Sequence, residues 1–145
     1  MAIFKPATKA ELQTAINEWC ANPGSYGGTD INTWDTSLIT DMSDLFKNKT
    51  TFNDNIGSWN TAAVTNMSLM FQNASVFNQD IGSWNTAAVT NMMSMFRNTS
   101  AFDQDIGSKP NTTMNGSTYT AWNTTAVTKM SYMFYGAISF NRDIS

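Results

Sequence analysis

The chain of 145 residues contains no histidine and a single cysteine, Cys20. Histidine is the commonest general base and metal ligand in proteins, so its absence removes most catalytic and metal-binding arrangements. One thiol cannot form an internal disulfide, and we expect Cys20 to be buried and unreactive because no basic residue surrounds it in the sequence. These absences predict a protein that is not an enzyme and needs no cofactor or metal.

Charge is also scarce, because only 13% of the residues are charged, with 8 Lys and Arg against 11 Asp and Glu. Without a basic stripe, nucleic acid is not an expected partner. No apolar run approaches the roughly 18 residues of a membrane-spanning helix, and the first residues lack the pattern of a signal peptide. We therefore expect either a virion protein or a piece of an extracellular or cell-surface protein.

What the sequence does contain is a repeat. Trp34, Trp59 and Trp84 are 25 residues apart, and Trp122 follows after one period plus a 13-residue insertion at 109–121. Six other apolar positions recur in step with the tryptophans. The predicted organisation is an N-terminal capping helix and linker over 1–30, then four repeats and the start of a fifth over 31–145. We number the repeats unit 1 (31–55), unit 2 (56–80), unit 3 (81–105) and unit 4 (106–143).

The repeat predicts how each unit folds. A unit of 25 residues cannot enclose a core alone, so stacked units are expected to bury their apolar positions against one another in an α/β solenoid. The spacing of Met67, Met70 and Phe71 predicts a short helix capped by Asn66, and residues 77–86 predict a short strand in a narrow parallel sheet. The expected structural core comprises Trp34, Trp59, Trp84, Trp122, Met67, Met92, Met130, Phe71, Phe96, Phe134, Phe77 and Phe102.

The first residues do not follow the repeat. Thr8 and Glu11 form a capping box, and an apolar stripe of one helical face follows, from Leu12 through Ile16 and Trp19. We expect this helix to lie across the open end of unit 1. At the other end the sequence stops one residue after Ile144, so the last repeat is expected to leave an uncovered apolar face.

The recurring motif Val-Thr-Asn-Met-Ser-x-Met-Phe, followed by Phe-Asn-x-Asp-Ile and Trp-Asn-Thr, resembles the BspA-type surface protein repeats of mycoplasmas and other bacteria. The resemblance covers about residues 31–145. It implies a right-handed, leucine-rich-repeat-like coil and roles in adhesion, surface recognition or assembly without enzymatic activity. Unit 4 departs from the motif, because Gly136 and Lys129 stand where the other units have asparagine or aspartate.

Two sets of side chains could bind a metal ion, but structural roles explain both sets better. Ten methionines suit a soft metal, but most of them occupy apolar positions of the repeat. Aspartates and asparagines recur at two positions near each phenylalanine, and calcium prefers such oxygens. Short polar side chains at these positions more often bind the backbone of turns, and we favour that interpretation.

The predicted partner-binding residues are Met114 and Tyr119 in the insertion, Tyr132 and Tyr135 in unit 4, and Ile144. Asn115-Gly116 predicts a hairpin that displays Met114 and Tyr119, and aromatic residues beside an uncovered end are plausible anchors. The function expected is a structural or interaction protein that docks onto a protein partner or onto itself, such as a phage decoration or fibre component. The alternative is a fragment of a bacterial adhesin that recognises a host protein or glycan.

Overall fold

The computed structural model describes residues 2–26 and 28–145. Its regular elements are helix α1 (Lys9–Ala21), one 3-10 turn (Ile31–Thr33), and an antiparallel hairpin of strands β1 (Lys109–Met114) and β2 (Ser117–Ala121). Turns and irregular segments make up the rest of these residues. The expected α/β solenoid is therefore wrong, since the units contain neither the helices nor the strands of a leucine-rich-repeat coil.

Residues in the left-handed backbone conformation explain why the predicted helices are absent. In unit 2, Leu69 and Asn73 have φ of 61° and 60°, a conformation that cannot continue a right-handed helix. Asn66 does not cap a helix but accepts a hydrogen bond from the Ser68 amide in a local turn, at 3.0 Å. The helical spacing of apolar residues thus arises from a tight turn. Equivalent positive φ angles occur at Asp44, Asn48, Ser94, Asn98, Tyr132 and Gly136.

The predicted strand at 77–86 is also absent, because local hydrogen bonds close this segment into a turn. Asp80 Oδ1 accepts from the Gly82 amide at 2.8 Å. A Cβ at Gly82 would lie 2.6 Å from the carbonyl oxygen of Asp105, so no larger residue fits there without a shift. Among the described residues, parallel pairing is limited to isolated bridges that join Asp41, Asn66, Asn91 and Lys129 in series.

Neighbouring units nevertheless hydrogen-bond directly through a main series of backbone bonds, the ladder, that runs in one direction. A few other backbone bonds run the opposite way, such as that from the Thr65 amide to the Thr40 carbonyl. In unit 1 the amides at alternate positions 42, 44, 46 and 48 donate to carbonyls 66, 68, 70 and 72 of unit 2, at 2.9–3.1 Å. The same pattern joins unit 2 to unit 3 and unit 3 to unit 4. Each unit therefore directs its ladder carbonyls toward the preceding unit and its ladder amides toward the next.

Aromatic side chains fill the interior along the same direction. Phe46, Phe71, Phe96 and Phe134 stack with centroid separations of 5.4, 5.6 and 5.7 Å and nearly parallel planes. A second stack comprises Phe52, Phe77, Phe102 and Phe140. The side chains that the repeat places in the core are buried at Trp34, Trp59, Trp84, Trp122, Met67, Met92, Phe71, Phe96, Phe77 and Phe102.

Two residues expected in the core depart from this pattern in unit 4. Met130 is 43% exposed, although Met67 and Met92 at the equivalent positions are fully buried. Phe134 is only partly buried. The reason is positional, because the equivalent residues of units 1 to 3 are covered by the next unit, and no described residue covers unit 4.

The tryptophans add a second series of hydrogen bonds. Each indole Nε1 donates to an isoleucine carbonyl of the preceding unit, from Trp59 to Ile31 and from Trp84 to Ile56, at 2.8 and 3.3 Å. Trp122 continues the series. Trp34 is buried, but its Nε1 has no partner among the described residues. The series therefore begins with an unpaired donor at the N-terminal end.

Helix α1 covers this N-terminal end. Leu12, Ala15, Ile16 and Trp19 form its buried face, and Trp19 Nε1 donates to Asp54 Oδ2 at 2.8 Å. Unit 1 presents ladder carbonyls here, and Gln13 Nε2 donates to one of them, Leu45 O, at 3.0 Å. Lys9 Nζ donates to Ser43 Oγ at 2.6 Å. The helix thus supplies side-chain donors to an end that presents acceptors.

The insertion 109–121 forms the hairpin of β1 and β2. Its turn contains Asn115 and Gly116 with φ of 53° and 76°, the combination that favours a tight type I′ connection. The Tyr119 hydroxyl donates to the Ser83 carbonyl and fixes the hairpin to unit 3. The hairpin predicted around Asn115-Gly116 is confirmed.

Candidate interaction surface

The outward side of unit 4 differs from every interface inside the molecule. We call residues 130–145 and the groove beside them the C-terminal face. The amides of Met130, Tyr132, Phe134 and Gly136 occupy the ladder positions, but none of them donates a hydrogen bond to any residue within 2–26 or 28–145. The face therefore presents a row of four unpaired backbone donors at alternate residues.

Acceptors also lie unpaired at this face. Ile106 is equivalent to Ile31, Ile56 and Ile81, whose carbonyls each accept from an indole. In the part of the chain that the structure describes, nothing donates to Ile106 O. Next to it lies a groove of about 290 Å³ whose lining includes Trp122, Met133 and Phe134. The groove thus combines apolar walls with one free carbonyl.

Exposed apolar side chains concentrate on the same face. Of the eight large hydrophobic residues exposed among those described, five lie between 130 and 144. They are Met130, Tyr132, Tyr135, Ile138 and Ile144. Such concentration is typical of interaction surfaces, whereas single exposed apolar residues need no explanation.

The structure brings three of the five predicted partner-binding residues to this face. Tyr132 and Tyr135 meet edge to face, with centroids 6.0 Å apart. The Arg97 guanidinium lies 5.7 and 5.4 Å from their ring centroids, in cation–π contact. Ile144 lines the groove. The arginine holds the two rings in place, so they form a supported aromatic pair.

The other two predicted residues, Met114 and Tyr119, lie on the hairpin. Together with Trp59 and Asn60 they line a separate small cavity of about 60 Å³. Both are half-buried rather than displayed, because the hairpin folds back against units 2 and 3. The structure therefore places them outside the C-terminal face.

Two carboxylates near the face, those of Asp103 and Asp105, are paired with basic side chains and bound to backbone. Asp103 accepts from the Asn141 amide and pairs with Arg142, and these bonds hold its pKa below the usual value. The Gly107 amide and Lys109 lower the pKa of Asp105 in the same way. The recurring carboxylates and amides thus bind turn backbone, as the sequence favoured. The described residues contain no group of three or more acidic or thiol side chains suited to a metal ion.

Cys20 lies half-buried against the core. Burial raises the pKa of its thiol, which lowers the fraction of reactive thiolate at neutral pH.

Sequence reasoning missed three contributors to the C-terminal face. Arg97 orients the tyrosine pair, Ile106 supplies the free carbonyl, and Ile138 is 84% exposed. Ile138 could have been found from the sequence. The equivalent positions in units 2 and 3 are Ser75 and Ser100, whose hydroxyls donate to backbone carbonyls of the preceding unit. Ile138 therefore replaces a hydrogen-bonding side chain by an exposed apolar one on this face.

A family profile described as "Mycoplasma protein of unknown function, DUF285" matches residues 14–119 and 109–145. The chain belongs to this family. Its DUF285 match spans helix α1 from Thr14 onward, all four units and the hairpin. The chain matches no curated protein and no solved structure. Within the described residues of this DUF285 protein, no helix has the length and apolar character needed to cross a membrane.

Proposed function

We propose that this DUF285 protein is a non-enzymatic interaction protein that docks onto a partner, or onto a second copy, through its C-terminal face. The observation that carries the proposal is the coincidence of exposed apolar side chains with unpaired backbone donors on one surface. Interface centres typically combine large apolar or aromatic residues with hydrogen-bonding groups that the partner satisfies.

The aromatic pair supports a specific anchor. Tyr132 and Tyr135 are 63% and 60% exposed, yet Arg97 restrains both rings. A side chain that is already ordered loses little conformational entropy on binding. We infer that this pair contributes more to partner affinity than Ile138, whose side chain is the most exposed of the set.

The setting in which such docking takes place remains a proposal with two forms. A virion decoration or fibre component needs a surface that attaches to a larger particle. A BspA-type adhesin of a bacterial surface needs one that recognises a host protein or glycan, and the family's description as a mycoplasma protein supports this form. Locating the chain on a purified particle, or on intact bacterial cells, separates the two.

Self-association provides a direct test of the face. Light scattering coupled to size exclusion is recorded across protein concentration for the wild type and for the double variant Tyr132→Ser with Ile138→Ser. We expect concentration-dependent association of the wild type that the double variant loses. The matched control is Leu38→Ser with Val76→Ser, which removes two exposed apolar residues elsewhere. Equal behaviour of the two double variants would contradict docking through the C-terminal face.

A further inference from the structure

We propose that the C-terminal face binds an extended segment of a partner protein that carries a tryptophan and presents backbone carbonyls at alternate residues. This inference rests on the proposed function and specifies the chemistry of the partner. Its basis is that the molecule contains the same interface three times, between units 1 and 2, 2 and 3, and 3 and 4. The C-terminal face repeats the donor side of that interface.

The backbone of the partner follows from the ladder. Inside the molecule, each row of four alternate amides meets four alternate carbonyls of the next unit. The amides of Met130, Tyr132, Phe134 and Gly136 form the same row. A buried backbone amide without an acceptor is costly, so an apolar partner that covered the row without carbonyls would lose affinity. The matching partner is therefore a chain whose carbonyls share the spacing of residues 66, 68, 70 and 72.

The tryptophan of the partner follows from the groove. Three indoles inside the molecule each rest on the preceding unit with Nε1 donating to an isoleucine carbonyl. The fourth carbonyl of that series, Ile106 O, opens beside the groove lined by Trp122, Met133 and Phe134. An indole placed there fills apolar space and donates one hydrogen bond. Smaller aliphatic side chains fill apolar space but donate no hydrogen bond.

A second copy of the chain can bury the exposed apolar side chains of the face, but it does not supply the carbonyl row. Two C-terminal faces brought together by symmetry would oppose donors to donors along the row. The complementary carbonyl row of unit 1 is covered by α1, where Gln13 already donates to Leu45 O. The favoured occupant is thus a segment of another protein with the chemistry of this repeat.

The probe for the test is a synthetic peptide of residues 58–81, which contains Trp59 and the carbonyls of 66, 68, 70 and 72. It is added to the intact chain, and exchange of individual amides is followed by NMR. At saturation we expect exchange to slow at least about tenfold at Met130, Tyr132, Phe134 and Gly136. The Ser131 amide, which lies between them outside the ladder, should not change.

Two variant peptides test the role of the indole. Trp59→Ala should abolish the alternating protection, because it empties the groove. Trp59→Phe keeps an aromatic ring but cannot donate to Ile106 O, so we expect binding about tenfold weaker, corresponding to about 1.4 kcal/mol. Equal affinity of all three peptides would overturn the inference.

The same peptide joined to Ser145 through a flexible Gly-Ser linker removes any limit set by weak affinity, because tethering raises the effective concentration to about millimolar. Absence of the alternating protection in both forms would overturn the inference, as would uniform protection that includes Ser131. These failures are distinct from failure of the proposed function, which is decided by loss of association in the double variant of Tyr132 and Ile138.

Discussion

The two ends of the molecule present opposite sides of the same kind of interface, and they differ in whether another element covers them. At the N-terminal end the ladder carbonyls of unit 1 face α1, whose side chains donate hydrogen bonds and whose apolar face buries the aromatic core. At the C-terminal face the ladder amides and the last aromatic residues have no cover among the described residues. A regular interior therefore leaves two chemically different ends. The N-terminal end is covered by a separate element, α1.

The largest expected effect concerns the apolar contact of α1. Ile16 is fully buried in the core, whereas Ile144 on the C-terminal face is 56% exposed. We expect Ile16→Ala to lower the free energy of unfolding by about 2–5 kcal/mol, because it removes buried methyl groups and leaves a cavity. Ile144→Ala should change it by less than about 0.5 kcal/mol. Urea denaturation of both variants measures the difference, and comparable losses would contradict the contrast between the ends.

A second comparison separates the hydrogen bond of an indole from its packing. Trp59 and Trp34 are both buried, but only Trp59 Nε1 has an acceptor, the carbonyl of Ile31. Both substitutions to phenylalanine lose similar ring volume. We expect Trp59→Phe to cost about 1–3 kcal/mol more, because it removes a buried hydrogen bond, whereas Trp34→Phe removes a buried donor that has no acceptor. Thermal unfolding of the two variants gives the comparison, and a larger cost at Trp34 would show that the series of indole bonds does not stabilise the units.

A third test concerns the end of the asparagine ladder. Asn73 Nδ2 donates to Asn48 Oδ1, and Asn98 Nδ2 donates to Asn73 Oδ1, but unit 4 has Gly136 at the next position. A Cβ added to Gly136, where φ is 73°, would lie 2.2 Å from Asn98 Oδ1. We expect Gly136→Ala to cost about 1–2 kcal/mol from the left-handed backbone, plus the displacement of the Asn98 amide.

The matched control is Gly116→Ala, where φ is 76° but no atom lies within 4 Å of the added Cβ. Gly116→Ala should cost only the roughly 1–2 kcal/mol that comes from placing alanine in a left-handed backbone conformation. Gly136→Asn should be milder than Gly136→Ala, because asparagine tolerates this backbone and its amide can donate to Asn98. Melting temperatures rank the three variants, and a Gly116→Ala chain less stable than the Gly136→Ala chain would contradict this account.

The smallest expected effect is the pH dependence of an ion pair at the N-terminal end. Lys5 Nζ lies 2.8 Å from Asp35 Oδ2, and its hydrogen bond, with those from Ser37, lowers the pKa of Asp35 to about 2. Since the pKa of an unfolded aspartate is about 3.9, the pair stabilises the fold above that pH, and the contribution is lost as pH falls toward 2. Lys5→Met should therefore lower the melting temperature slightly at pH 7 and hardly at all below pH 2.

Lys49→Met removes the same charge from a side chain that makes no ion pair within residues 2–26 and 28–145. It should show no comparable change between pH 7 and pH 2. If the two lysine variants lost the same stability at both pH values, the ion pair would not explain the effect.

The sequence predicted positions in this molecule better than conformations. The 25-residue period located the stacked phenylalanines, and Thr8 with Glu11 located the start of α1. The prediction of a helix and a strand inside each unit was wrong. Leu69 and Ser94 adopt positive φ there, although their side chains do not favour it. Bonds to the neighbouring units fix these residues, and local sequence patterns do not contain that information.

The candidate surface was predictable in part for the same reason. The tyrosines of unit 4 were visible as aromatic residues at positions of the repeat outside the predicted core. The unpaired amides and the free Ile106 carbonyl were not, because every unit has these groups and only the arrangement of units shows which remain without partners.

The common direction of the ladder bonds has an electrostatic consequence. In ordinary sheets the peptide dipoles of a strand alternate and nearly cancel, but here every ladder peptide of each unit points its N–H toward the next unit. The dipoles therefore add along the molecule, as they do in a helix, where the sum is equivalent to about half a charge at each end. The positive pole lies at Tyr132 and Gly136, while Lys9 sits over the negative pole. An otherwise acidic chain thus offers an approaching carboxylate or carbonyl one attractive end.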